Sequence, residues 1–177
     1  MPRYLALIAL LLAVPASGCS RPAVDSSPAA EARGGGAPAA PLATATTAND
    51  GRAVEITVTD AMKFSVAEIA AKRGEKLTVT LVNVGTTPKF SMGHNWVLLT
   101  LGTDVPQFLA AAAEAVTTEY VPTATHKDHI VVATKLLGPK ERDVVTFAAP
   151  DAPGRYDFLC SFPGHYQVGM RGVLIVE

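Results

Sequence analysis

Apolar and polar residues alternate in several short runs of this chain, and a period of two predicts strands. Val54, Ile56 and Val58 alternate with Glu55, Thr57 and Thr59, and Leu77, Val79 and Leu81 share one face of the run 76–84. Further strand-like runs cover 95–101, 130–134, 143–148, 155–160 and 172–176. Gly and Pro punctuate them at the spacing of an all-β sandwich with Greek-key connections. One segment departs from this pattern. Asp104 stands three residues before Gln107, the signature of a helix start. Val105, Phe108, Leu109, Ala112 and Val116 then recur at helical spacing, which predicts an inserted helix of about 12 residues.

The chain before residue 51 has a different pattern. Arg3 precedes an apolar run from Tyr4 to Val14, and Pro15, Ala16, Ser17 and Gly18 follow. A charged start, a short apolar stretch and a small-residue exit describe a secretory signal peptide. Such a run is too short to span the ~30 Å hydrocarbon core of a bilayer as a helix. Cys19 follows Ala16-Ser17-Gly18, which resembles a bacterial lipobox, so residues 1–19 read as a signal with Cys19 as the lipid attachment site. Cleavage near Ala16 without lipidation is the alternative, and either route takes the mature chain out of the cytoplasm. Residues 20–50 are dominated by Ala, Pro, Gly, Ser and Thr, with only Val24 and Leu42 as sizeable apolar residues. Such a segment buries too little surface to offset its ordering entropy and reads as a disordered linker. The folded domain is expected over 51–177.

Composition narrows the function. The chain has 177 residues with 15 basic and 16 acidic side chains, a net charge of −1. That balance gives no broad basic surface for nucleic acid. Common nucleotide-binding and hydrolase signatures are absent from the sequence.

The chemistry lies in two stretches. In Cys160-Ser161-Phe162-Pro163-Gly164-His165-Tyr166-Gln167-Val168-Gly169-Met170, a thiol, an imidazole and a thioether follow one another as C-x4-H-x4-M. Met92-Gly93-His94-Asn95-Trp96 supplies a second imidazole from much earlier in the chain. One Cys, two His and a weak axial Met make up the trigonal site of electron-transfer copper, and this soft and borderline donor set suits both Cu(I) and Cu(II). Asn95, beside a candidate ligand, can hydrogen-bond across to the Cys160 loop and hold the two stretches in register, with Ser161 and Phe162 as its neighbours there.

Residues 53–177 resemble the azurin and auracyanin branch of the cupredoxin family of blue copper proteins. The resemblance rests on Asp60-Ala61-Met62-Lys63-Phe64, Met92-Gly93-His94-Asn95-Trp96-Val97-Leu98, Thr134-Lys135-Leu136-Leu137-Gly138 and Cys160-Ser161-Phe162-Pro163-Gly164-His165. It implies a Greek-key sandwich of about eight strands with a helical flap. It also implies one type 1 copper held by His94, Cys160 and His165, with Met170 axial and the Gly93 carbonyl on the opposite side. Met62, Met92, Pro163 and Gly164 would surround the His165 edge as a docking patch. The implied role is one-electron carriage between larger redox proteins, such as a cytochrome and a terminal reductase or oxidase, by a monomer held at the membrane through its lipid anchor. The chain departs from azurin in three ways. It has four residues rather than three between His165 and Met170, as in the auracyanins. It lacks azurin's disulfide cysteines, and Asn83 stands where some azurins carry a pH-responsive histidine.

Met62, Met92 and Met170 are also ordinary core residues by type, and Trp96 reads as core. His126 and His129, at i and i+3, could hold a second metal, although their stretch reads as a solvated loop. A copper chaperone or storage protein is the alternative function. It would favour exposed Met- and His-rich sites over one compact mixed site. A multicopper enzyme would need more histidines than the four present.

Overall fold

The computed structural model describes residues 51–177. Cys19, the signal and the linker lie outside the described residues. Eight strands form: β1 (Arg52–Val58), β2 (Glu68–Ala71), β3 (Lys76–Asn83), β4 (Val97–Leu99), β5 (Ile130–Ala133), β6 (Arg142–Ala148), β7 (Gly154–Leu159) and β8 (Arg171–Val176). One sheet has the order β1-β3-β6 and the other β2-β8-β7-β4-β5. The β1–β3 and β2–β8 pairs are parallel and the remaining pairs antiparallel. This is the sandwich that the alternating runs predict. Leu77, Val79 and Leu81 of β3 point inward with Ile56 and Val58 of β1, against Phe158 of β7 and Leu174 of β8. Burying each such side chain stabilises the fold by about 1.5–3 kcal/mol.

Three elements differ from expectation. β2 has only four residues, too few for a clear alternation, and its register comes from parallel pairing with β8, as in Ile69↔Leu174. β4 is shorter than the run 95–101: before it the Trp96 amide donates to the Thr134 hydroxyl, and its register with β5 shifts between Leu98 and Leu99. Leu98 enters the main core, whereas Val97 and Leu99 pack under a helical flap with Leu159, Phe108 and Val105. The flap helix is α2 (Val105–Glu114), after a short α1 (Lys89–Met92). The Asp104 side chain accepts from the Gln107 amide at 3.0 Å and caps α2. Val105, Phe108 and Ala112 are buried as the spacing predicts. Val116, however, lies beyond the helix in a 3₁₀ turn and is exposed. A short α3 (Thr123–His126) and a 3₁₀ turn, Lys127–His129, lead into β5. Among the described residues, no helix is long and apolar enough to cross a membrane.

Candidate metal centre

The two chemical stretches meet at one end of the sandwich. Residues 160–170 join the paired strands β7 and β8, with Cys160 directly after β7 and Met170 directly before β8. The Cys160 amide donates to the Met170 carbonyl at 3.1 Å and closes the neck of this loop. Inside it, the His165 amide donates to Phe162 O at 3.2 Å and the Met170 amide to His165 O at 3.0 Å. Gly164 allows the tight turn with a φ of +87°.

His94 lies between α1 and β4, locked to Leu137 by hydrogen bonds of 3.1 and 2.7 Å in both directions. Gly93 before it is in close contact with its surroundings. A Cβ there would meet Lys89 O at 2.7 Å and the Leu136 side chain at 2.8 Å, so only glycine fits.

Asn95 ties the two stretches together. Its Nδ2 donates to Ser161 Oγ at 2.9 Å, and its Oδ1 accepts from the Ser161 amide at 2.9 Å. Asn95 and Ser161 are both buried, so each would leave polar groups stranded without the other.

One candidate donor atom from each of His94, Cys160 and His165 falls within 4.8 Å of the other two. Cys160 Sγ lies 3.4 Å from His165 Nδ1, and the two imidazole centroids are 4.9 Å apart. All three residues are buried, and Met170 is fully buried in the main core. Neither ring nitrogen of His94 has a hydrogen-bond partner. A buried imidazole with both nitrogens unpartnered is costly unless something else binds there. Burial pushes the Cys160 thiol up to about 12, against the smaller pull of the Asn95 and Phe162 amides. Burial pushes His165 down to about 4, helped by neighbouring His94, and lowers His94 as well. The imidazoles are thus held neutral, the state in which they donate a lone pair to a metal. The amides aimed at the sulfur stabilise the thiolate that a metal requires. The donor set, its burial and the unpartnered nitrogens fit a copper ion.

The surface above His165 is apolar. Phe162 stacks on the His165 ring with centroids 4.7 Å apart, and Pro163 and Gly164 are exposed. Met62 and Met92 are each half-buried, and Met62 also packs against the main core. The Asp60 carboxylate accepts from the Thr86 and Thr87 amides and the Thr86 hydroxyl, which hold its pKa below the usual value.

Two features of this end escape the sequence reading. Phe90 on α1, between Lys89 and Ser91, is 83% exposed, although an aromatic ordinarily reads as core. Glu119 and Tyr120 both adopt positive φ without being glycine. Glu119 pairs with Lys89 at 2.7 Å and accepts from the Leu136 amide at 3.0 Å, while Tyr120 packs edge-on against Phe162 at 5.0 Å. No short motif signals such a pair. Asn83, buried, donates to Leu137 O at 3.3 Å and accepts from the Gly85 amide at 2.8 Å, a structural role at the position noted above.

Comparison with known proteins agrees with this geometry. Residues 52–177 match the family described as copper binding proteins, plastocyanin/azurin family. An azurin from Pseudomonas chlororaphis is 33% identical over 127 residues, covering 70% of this chain and 97% of the relative. Auracyanin-B from Chloroflexus aurantiacus is 32% identical over 117 residues, covering 66% of this chain and 48% of that protein. The crystal structure of a dithionite-reduced auracyanin from Roseiflexus castenholzii superposes with a TM-score of 0.63 at 34% identity, covering 71% of this chain and 96% of the other. The chain belongs to the plastocyanin/azurin family of copper-binding proteins. With the His94–Cys160–His165 cluster, it is a blue copper electron-transfer protein with one type 1 copper, not an enzyme.

Proposed function

We propose that this chain is a tethered carrier of single electrons outside the cytoplasm. His94 and His165 hold copper through imidazole nitrogens and Cys160 through its thiolate. The Met170 thioether and the Gly93 carbonyl would be the weaker donors beside these three. The observation that carries this reading is the convergence of three buried donors from two hydrogen-bonded stretches. When bound, the ion supplies a one-electron couple. The protein keeps water away from it and fixes the donors through Asn95–Ser161 and the Cys160–Met170 neck, so little moves when charge changes. A copper chaperone or storage protein needs donors that exchange metal readily at the surface. The buried donors favour the carrier.

Electrons enter and leave over the His165 edge, through the small apolar rim of Met62, Met92, Pro163 and Gly164. Small interfaces suit transient electron-transfer encounters. A cytochrome and a terminal reductase or oxidase fit as donor and acceptor, meeting the chain as a monomer. Lipidated Cys19 anchors it to the extracytoplasmic face of a membrane, and residues 20–50 give the copper domain its reach.

Reductive titration tests the carrier role. One electron per chain should bleach an intense visible band, and uptake of several electrons per chain would refute it. Fractionation tests the anchor. Full-length protein should sediment with membranes and Cys19→Ala should not, whereas a wholly soluble wild type of lipid-free mass would remove the tether.

A further inference from the structure

The sequence has four histidines, and the two outside the copper site, His126 and His129, are brought together by the fold. His126 ends α3 and His129 ends the following 3₁₀ turn, with ring centroids 5.5 Å apart and planes inclined by 43°. His126 is half-buried and held edge-on to Phe108 of the flap at 6.0 Å, while His129 is exposed.

Each ring has a hydroxyl at its Nδ1. Thr125 Oγ1 lies 2.9 Å from His126 Nδ1, and Thr103 Oγ1 lies 3.5 Å from His129 Nδ1. The Thr103 hydroxyl donates its proton to the Thr100 carbonyl at 2.8 Å, so its oxygen is left to accept from His129. With the His129 proton on Nδ1 facing that oxygen, the lone pair on Nε2 is the one offered to a ligand. An oxygen at one ring nitrogen that fixes tautomer and orientation is the usual companion of a metal-bound histidine. Two imidazoles bound at ~2.0–2.1 Å to one tetrahedral ion place their centroids about 5 Å apart, close to the spacing seen here. Lys127 and Asp128 between them are exposed and cancel in charge, so the imidazoles must carry the affinity.

We propose that His126 and His129 form a second metal site through Nε2. It takes a divalent transition ion of the class that favours imidazole, such as Zn(II). Its remaining positions are open to water. The ion would link α3 and the turn to the Thr100–Thr103 segment, on elements that contribute no donor to the copper site.

Zinc is the probe, because it is silent in the visible and leaves the copper band as an independent reading. Calorimetric titration of the copper-loaded full chain should show uptake of one zinc with the band unchanged. His126→Gln and His129→Gln, both conservative, should each weaken uptake by about tenfold or more, and the double variant should abolish it. Thr103→Val keeps both imidazoles and should still weaken it several-fold, since the hydroxyl beside His129 Nδ1 is lost together with its hydrogen bond to the Thr100 carbonyl. The proposal is overturned if the wild type takes up no zinc at millimolar concentration. It is also overturned if the double variant binds as the wild type does, or if uptake is matched by loss of the visible band.

Discussion

The protein carries two pairs of histidines at nearly the same spacing, 4.9 Å between the rings of His94 and His165 and 5.5 Å between those of His126 and His129. Their surroundings separate them. The first pair is drawn from distant parts of the chain, buried, and set beside a thiol 3.4 Å from one ring. Both nitrogens of His94 are unpartnered, a burial that costs ~1–3 kcal/mol for an unsatisfied group. The second pair is local, lies at the surface, and has a threonine hydroxyl at each Nδ1. Imidazole spacing alone therefore does not make a redox centre. Burial removes water and fixes geometry, and a soft third donor selects copper.

The strongest test removes that third donor. Cys160→Ser should abolish the intense thiolate-to-Cu(II) band, because a hydroxyl cannot replace the thiolate. The first pair would then be a colourless bis-imidazole site, chemically closer to the second. A variant that stays blue would refute the assignment of Cys160. The next test loosens the second pair and spares the first. Phe108 is fully buried under the flap and braces His126, so Phe108→Ala should cost about 3–5 kcal/mol by chemical denaturation. The visible spectrum should survive, since Phe108 packs with β4 and β7 residues of the flap cluster that are not donors.

Acid should act on the first pair through burial, and the sign can be worked out for the metal-free protein. His165 has an ordinary value of 6.5 and a folded value of about 4. Between them the unfolded chain binds more protons than the native one, so stability rises with pH across that window and is lost as pH falls through it. Cys160 works at the other end. Its thiol moves from 9.0 to about 12, so the unfolded chain ionises first and stability declines as pH rises over that range. Urea midpoints across both windows check this, and a flat profile would mean the site is open to water. The metal-free chain should remain folded at neutral pH, because the main core spans both sheets beyond the donors.

How much of this was legible in the sequence depends on whether the information was local. Cys160, His165 and Met170 lie on one loop, so their spacing alone carried the chemistry. His94 was found because Gly93, Asn95 and Trp96 flank it in a recognisable run. Strands with one buried face showed in the alternation, as β3 did. Strands that owe their form to partners did not. β2 exists by pairing with β8, and β4 was overestimated because its apolar run extends beyond the residues that pair with β5 and β7. Phe90 and the Glu119–Tyr120 turn escaped for a similar reason. Exposure of an aromatic and a positive φ at a non-glycine residue are set by what packs nearby, which no short motif records.

The smallest effect concerns the docking surface proposed for the first pair. Met62 and Met92 are half-buried, the His165 loop exposes Pro163 and Gly164, and Phe90 projects from the same short helix as Met92. His126 and His129 are separated by Lys127 and Asp128, which are charged and exposed. If the rim is where redox partners meet the His165 edge, a charge placed there must be desolvated in each encounter. Met92→Glu should then slow electron self-exchange about tenfold, equivalent to ~1.4 kcal/mol, and Met62→Lys should act in the same direction. The visible band should not change, because neither residue is a donor in the proposed site. Adding salt should only partly restore the rate, since screening weakens repulsion between like charges and leaves the desolvation cost in place. Charge reversal at Lys127 serves as the control, because it sits beside the second pair and should leave self-exchange untouched. If both methionine variants exchange electrons at the wild-type rate, then Met62 and Met92 serve packing alone and the encounter takes place on another face.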